Sequence, residues 1–156
     1  LITGGNGWLP SHVVRRLARR GEVVVSYDLM EPDGYLRDFL GSDLDRVIFA
    51  AGDVTDRARL HEVAHQYEVE AIISAAAITP RVDRERREPE RIIDVNLGGV
   101  VNALEVAREL VALPWRPRVV LISSDPDAIT RSSVPSSSRW ASFSVVSSNN
   151  SNVTFG

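Results

Sequence analysis

From residue 1 to about residue 125 the chain alternates short β-branched runs with longer segments whose apolar positions recur every three to four residues. The short runs, at 1–3, 22–27, 47–50, 71–75 and 118–123, predict five strands. Between the first two, Leu9, Val13 and Leu17, with Val14 and Ala18, follow an i, i+4 spacing, while Arg15, Arg16, Arg19 and Arg20 fall largely outside that stripe. A helix over about 9–20 follows, closed by Gly21. A second helix over about 57–68 carries Leu60, Val63, Ala64 and Tyr67 on one face. The longest, about 92–110, is expected to pack through Ile93, Leu97, Val100, Val101, Leu104 and Ala107. Strands alternating with helices, joined by right-handed crossovers, predict an α/β fold with a doubly wound parallel sheet truncated after its fifth strand. Such a sheet leaves one edge open, so marginal stability and aggregation are expected.

Beyond residue 125 the pattern stops. Residues 126–156 hold ten serines, three charged residues (Asp127, Arg131, Arg139) and no helix stripe. This Ser-rich tail reads as a weak hairpin of 140–146 with 153–155, as disordered, or as the product of a shifted reading frame. The domain is thus 1–125, with an N-terminus that reads as the end of a strand whose beginning is missing, and hence as a fragment.

Composition narrows the function classes. The 156 residues are 44% apolar and 25% charged, with mean hydropathy −0.08 and no apolar run near the ~20 residues of a membrane span. No cysteine is present, which excludes disulfides, thiolate metal sites and cysteine nucleophiles and fits the cytoplasm. A net charge of −3 argues against nucleic acid as a partner. All 18 basic residues are arginine, which excludes a P-loop lysine, a Schiff base and a Tyr-x-x-x-Lys pair. His61-Glu62-Val63-Ala64-His65 matches a zinc-peptidase pattern, but the apolar stripe of its helix turns both imidazoles to a solvated flank, so no metal site is assigned. The Arg81 to Arg91 run interleaves its arginines with Asp83, Glu85, Glu88 and Glu90 and reads as a self-paired solvated connection.

The most informative segment is Thr3-Gly4-Gly5-Asn6-Gly7-Trp8-Leu9-Pro10. Glycines between a strand and a helix let the backbone turn tightly against a diphosphate, whose charge sits on the free amides and positive end of that helix. Gly4 and Gly7 have the spacing for this, Pro10 stands where a third glycine is usual, and Asp28 follows about 20 residues on at the end of the second strand. Its carboxylate suits a ribose diol and repels a 2′-phosphate, which favours NAD over NADP.

These residues resemble the extended short-chain dehydrogenase/reductase family, in its NAD-dependent epimerase/dehydratase branch, with a Rossmann-type sheet. Thr3 to Gly7 resembles its T-G-x-x-G turn, in which the Trp8 and Leu9 amides would meet the diphosphate. Gly52-Asp53-Val54-Thr55-Asp56 resembles its G-D-x-x-D, where Asp53 would bond the adenine amino group and Val54 a ring nitrogen. Ile72 to Ala77 resembles the stretch that lines the cofactor with Ala75, Ala76 and Ala77, with Ser74 in place of the usual histidine. Asn96-Leu97-Gly98-Gly99-Val100-Val101-Asn102 resembles N-V-x-G-T-x-N, and Val119 to Ser124 the fifth strand, whose last residue, here Ser124, would orient a substrate hydroxyl. The resemblance implies transient hydride transfer from a nucleotide sugar to NAD, and homodimers through the fourth and fifth helices. The family's tyrosine and lysine are missing: Tyr27, Tyr35 and Tyr67 all precede the fifth strand. The expectation is therefore an NAD-binding portion that is inactive alone; a non-catalytic dinucleotide-binding redox sensor is the alternative.

Overall fold

In a computed structural model that describes residues 1–79, 81–115, 117–123 and 143–147, the alternating pattern forms a parallel sheet with helices on both faces. The strands are β1 (Ile2–Thr3), β2 (Val24–Asp28), β3 (Val47–Ala51), β4 (Ala71–Ser74), β5 (Arg118–Ser123) and β6 (Phe143–Ser147), in spatial order β3-β2-β1-β4-β5-β6. The helices are α1 (Trp8–Arg19), α2 (Gly34–Leu40), α3 (Arg57–Gln66), α4 (Val82–Arg87), α5 (Pro89–Ile93) and α6 (Gly99–Glu109), with a π turn at Asp94–Gly98 joining the last two. The order reverses between β1 and β4, and ligands of doubly wound sheets bind outside the strand ends at that point.

The side-chain period of two divides the core. Ile2, Val24 and Val47 point to one face, where Val14 and Ala18 of α1 and Leu36 and Leu40 of α2 cover them. Val25, Tyr27, Ile72 and Val119 point to the other, under Leu60, Val63 and Ala64 of α3 and Ala103, Val106 and Ala107 of α6. Pro10 is buried in the first turn of α1, and the helix still seats Val14 and Ala18 at 1% exposure each. α2 was absent from the sequence reading; Asp33 caps it by accepting a 2.8 Å bond from the Leu36 amide.

Three expectations need correction. Tyr67 is not on the buried face of the second helix: it caps α3 and is exposed. Leu9 is exposed, at the open end of α1. On the long helix, Ile93, Leu97 and Val101 face solvent, while Val95, Gly99, Ala103, Val106, Ala107 and Leu110 are buried. The predicted 92–110 stretch is not one α-helix, since a π turn at Asp94–Gly98 interrupts it, and the face on the sheet is the one carrying the small residues Gly99 and Ala103.

The sheet also continues past the predicted fifth strand. Phe143–Ser147 pairs in parallel with β5, Val119 opposite Phe143 and Ser123 opposite Ser147, where a hairpin with 153–155 or a disordered tail was expected. An unpaired strand edge is a template for such a segment, and its aromatic and β-branched residues suit it. Residues 153–155, and the remainder of the Ser-rich tail, lie outside the described residues.

The identity of the buried helix face is testable. Leu110→Ala, at a site 2% exposed, should cost about 2–5 kcal/mol in urea unfolding, and Leu97→Ala, at 61% exposure, under about 0.5 kcal/mol. Equal losses would contradict this division into buried and exposed faces.

Candidate functional site

The end of β1 is tied to both neighbouring strands. The Gly4 amide donates to the Tyr27 carbonyl of β2 at 2.8 Å, and the fully buried Thr3 Oγ1 accepts from the Ala75 and Ala76 amides after β4 at 3.0 and 3.1 Å. Gly4 then turns with φ of +67°, and a Cβ there would stand 2.7 Å from the Ala76 Cα. Only glycine suits that conformation and that approach together. The Gly7 amide closes the turn on the Gly4 carbonyl at 2.9 Å, and α1 starts at Trp8.

The first turn of α1 has no side-chain cap. Ser11 is its first residue with an intrahelical amide bond, to the Gly7 carbonyl at 2.9 Å, and Pro10 has no amide hydrogen to offer. The Trp8 and Leu9 amides therefore stand without acceptors among the described residues, at the positive end of a helix.

Asp28 ends β2 at the same sheet edge. Its Oδ2 accepts from the Asn6 amide and its Oδ1 from the Met30 amide, both at 3.0 Å, so each oxygen keeps a lone pair for a further donor. Asn6, which the sequence reading passed over, fastens the glycine turn to β2: its Oδ1 accepts from Ser26 Oγ at 2.8 Å, and its Nδ2 donates to the Met30 carbonyl. A polar residue between the turn glycines was its only signal.

Asp53 follows β3. Its Oδ1 accepts from Thr55 twice, from the amide at 2.9 Å and from Oγ1 at 2.8 Å, and its Oδ2 accepts from Arg91 Nη2 at 2.6 Å. Burial pushes this carboxyl up, but the Thr55 amide, the Arg91 guanidinium and the Thr55 hydroxyl outweigh it and hold the group below its ordinary range. Arg91 was expected to pair within its own charged run; it reaches instead across to this loop, while Arg87 pairs with Asp83 as that reading had it. The Asn102 amide group donates to the Val54 and Thr55 carbonyls at 2.9 and 3.1 Å, and Tyr27 Oη to the Asp53 carbonyl at 2.9 Å. The Val54 side chain is buried and its amide has no acceptor among the described residues. Burial, with Asp56 and Asp53 nearby, pushes the Tyr27 hydroxyl up to about 12, so it stays protonated near neutrality.

The loop after β4 carries Ala75, Ala76 and Ala77. Asn96 pins its far side, accepting from the Ile78 amide at 2.7 Å and donating to the Ile78 carbonyl at 3.0 Å. Ser124 lies outside the described residues. On α3, His61 stacks on His65 with ring centres 6.3 Å apart, and its Nε2 lies 3.8 Å from Glu109 of α6.

A parallel sheet in this order, with a glycine turn at its reversal point and acids after the next two strands, defines a Rossmann-type domain. The chain belongs to the NAD dependent epimerase/dehydratase family, which it matches over residues 1–133. The dTDP-glucose 4,6-dehydratase of Neisseria meningitidis serogroup B is 36% identical over 110 residues, covering 69% of this chain and 31% of that protein. The UDP-glucose 4-epimerase of Brucella ovis, solved in complex with NAD, superposes with a TM-score of 0.60 at 28% identity, over 78% of this chain and 34% of its own. The UDP-glucose-4-epimerase of Stenotrophomonas maltophila, solved with NAD and a formylated UDP-arabinopyranose, shares the fold with a TM-score of 0.66 at 24% identity, over 79% of this chain and 36% of its own. The chain thus spans about a third of the length of the relatives it matches. Among the described residues no helix is long and apolar enough to cross a membrane.

Because its folded pKa is depressed, Asp53 contributes stability that is present above its unfolded pKa near 4 and lost as pH falls through the folded value. Asp53→Asn should therefore be less stable than the parent chain by about 1 kcal/mol at pH 7, with the gap closing below pH ~4 in urea titrations. A gap independent of pH would remove the charge from this account.

Proposed function

We propose that this chain is the NAD-binding part of an epimerase or dehydratase acting on a nucleotide sugar. One observation carries the reading: the acceptor-less amides of Trp8 and Leu9 open onto the same sheet edge as the half-used Asp28 carboxylate. An adenine dinucleotide fits these groups. The two amides and the helix end hold the pyrophosphate, Gly4 leaves room for the close backbone approach, and the spare lone pairs of Asp28 accept the two ribose hydroxyls. A 2′-phosphate would meet that carboxylate as a like charge, so NADP is disfavoured. Asp53 accepts the adenine amino group and the free Val54 amide donates to a ring nitrogen. Ala75, Ala76 and Ala77 line the cofactor, with Asn96 fixing the loop that carries them.

Bound there, NAD supplies a hydride acceptor for a sugar carbon. This chain's own residues bind and orient, with Ser124 assigned to the substrate hydroxyl. A base is missing: Tyr27 is spent on the Asp53 carbonyl, and no lysine exists to lower the pKa of any tyrosine. The chain therefore binds cofactor and does not turn over sugar alone.

Titration calorimetry tests this. NAD should bind the chain, NADP should bind at least 10-fold more weakly, and Asp28→Ala should weaken NAD by about 10- to 100-fold, the worth of its charge-assisted bonds. No heat at millimolar NAD, or unchanged affinity in the variant, would refute it.

We also assign the exposed apolar row Ile93, Leu97 and Val101, 58%, 61% and 48% exposed, to a homodimer contact. Leu97→Glu should shift a dimer to monomer in light scattering while leaving the fold intact; an unshifted mass would reject the assignment.

A further inference from the structure

Around Asp53 the hydrogen bonds leave an uneven account. An ionised carboxylate offers about four acceptor positions. Thr55 fills both positions on Oδ1, through its amide and its hydroxyl, and Arg91 Nη2 fills one on Oδ2 at 2.6 Å. One acceptor position remains, on the oxygen that Arg91 holds. Thr55 is two residues along the same loop, so its bonds set Oδ1 within the loop; Arg91 comes from α5, 38 residues away, and among the described residues it is the one side chain from outside the loop that bonds the carboxylate. Arg91 Nη1 also lies 3.5 Å from Thr55 Oγ1, so the guanidinium spans both members of the loop pair. The peptide frame beneath is held separately by Asn102 and Tyr27, which touch only carbonyls. Removing Arg91 would therefore leave the loop in place, keep Oδ1 on Thr55 and free Oδ2.

We propose that Arg91 is a positioning residue for base selection: it aims the last open acceptor of Asp53 at the ring amino group of the bound nucleotide and cancels the carboxylate's charge beside an anionic ligand. This rests on the reading of the site as a dinucleotide site with Asp53 at the base. An amino group donates to the aimed oxygen, as adenine does. Hypoxanthine presents a carbonyl oxygen at the same ring position, acceptor against acceptor, and is rejected. Without the guanidinium, Oδ1 stays on the Thr55 amide and hydroxyl, Oδ2 loses the partner that sets its open position, and the uncancelled charge repels the pyrophosphate at longer range. Arg91→Met thus loses both affinity and selectivity, and Arg91→Lys keeps most of the selectivity because an ammonium still reaches Oδ2.

The test is calorimetry on the 156-residue chain with two probes, NAD and nicotinamide hypoxanthine dinucleotide, for the parent, R91M and R91K. The parent should prefer NAD by about 10-fold or more; R91M should weaken NAD by about 10-fold and cut the preference to about 3-fold or less; R91K should keep the larger part of it. Circular dichroism establishes that each variant is folded, and R91Q replaces R91M if the latter is not. An unchanged preference in R91M, or equal losses in R91M and R91K, would overturn the role of Arg91 while leaving the dinucleotide site intact. A parent chain that binds NAD without preferring it over the hypoxanthine analogue would also overturn it. Failure of the parent to bind NAD at all would overturn the site reading and this proposal with it.

Discussion

The end of β1 carries the molecule. Thr3 has no side-chain freedom, since its Oγ1 takes two amides from the chain leaving β4, and the next residue gives its own amide to β2. Both neighbouring strands are thereby locked to a two-residue strand at the place where strand order reverses. The backbone can leave this junction only by turning up sharply, which the positive φ of Gly4 permits, and what it turns into is the uncapped start of α1. A capping side chain at Gly7 would take the Leu9 amide internally and spend the positive helix end on the protein itself. The orphan donors are thus a consequence of the same sequence that closes the fold.

The fold was legible because its signals are local and repeated. Period-two and period-3.6 patterns located five strands and three helices, and β5 at 118–123 falls where the pattern put it. The glycine turn and Asp28 were legible because a tight turn and a strand-end acid leave few residue choices. Hidden from the sequence are a packing face made of small residues, an element too short for a periodicity, and contacts distant along the chain. Ile93, Leu97 and Val101 are the larger apolar residues, but the face on the sheet is made by Val95, Gly99, Ala103 and Val106, where the lack of bulk lets the helix approach. α2 is seven residues long, with only Leu36 and Leu40 fully covered, too few turns for a periodicity. Asn6, Asn102 and Arg91 act through hydrogen bonds to residues 24, 48 and 38 positions away, and nothing in their immediate neighbourhood announces that.

The electrostatics of the strand ends follow a division of labour. Asp28 and Asp53 are both acids at an edge that opens onto backbone donors, and two uncompensated negative charges there would oppose an anion. Asp28 is met only by neutral amides, with no cation bonded to it among the described residues. Asp53 is offset by a full guanidinium at 2.6 Å and acts as a neutral acceptor in the field of the whole site. Equal residues at equivalent strand ends thus differ in function through their partners.

The same principle accounts for what the aromatic hydroxyls do. A tyrosine serves as a base only where a nearby cation pays for its ionisation in advance of the reaction. For Tyr27 the balance goes the other way: it is 1% exposed, its burial with Asp56 and Asp53 outweighs the nearby Arg59, and it donates its proton to a carbonyl of the loop after β3. Its ring also fills the space where a Cβ at Gly52 would sit, so the G-D motif after β3 and the tyrosine of β2 are one packing unit. A hydroxyl used in this way braces the loop after β3 against β2, and its proton is committed to that structural bond.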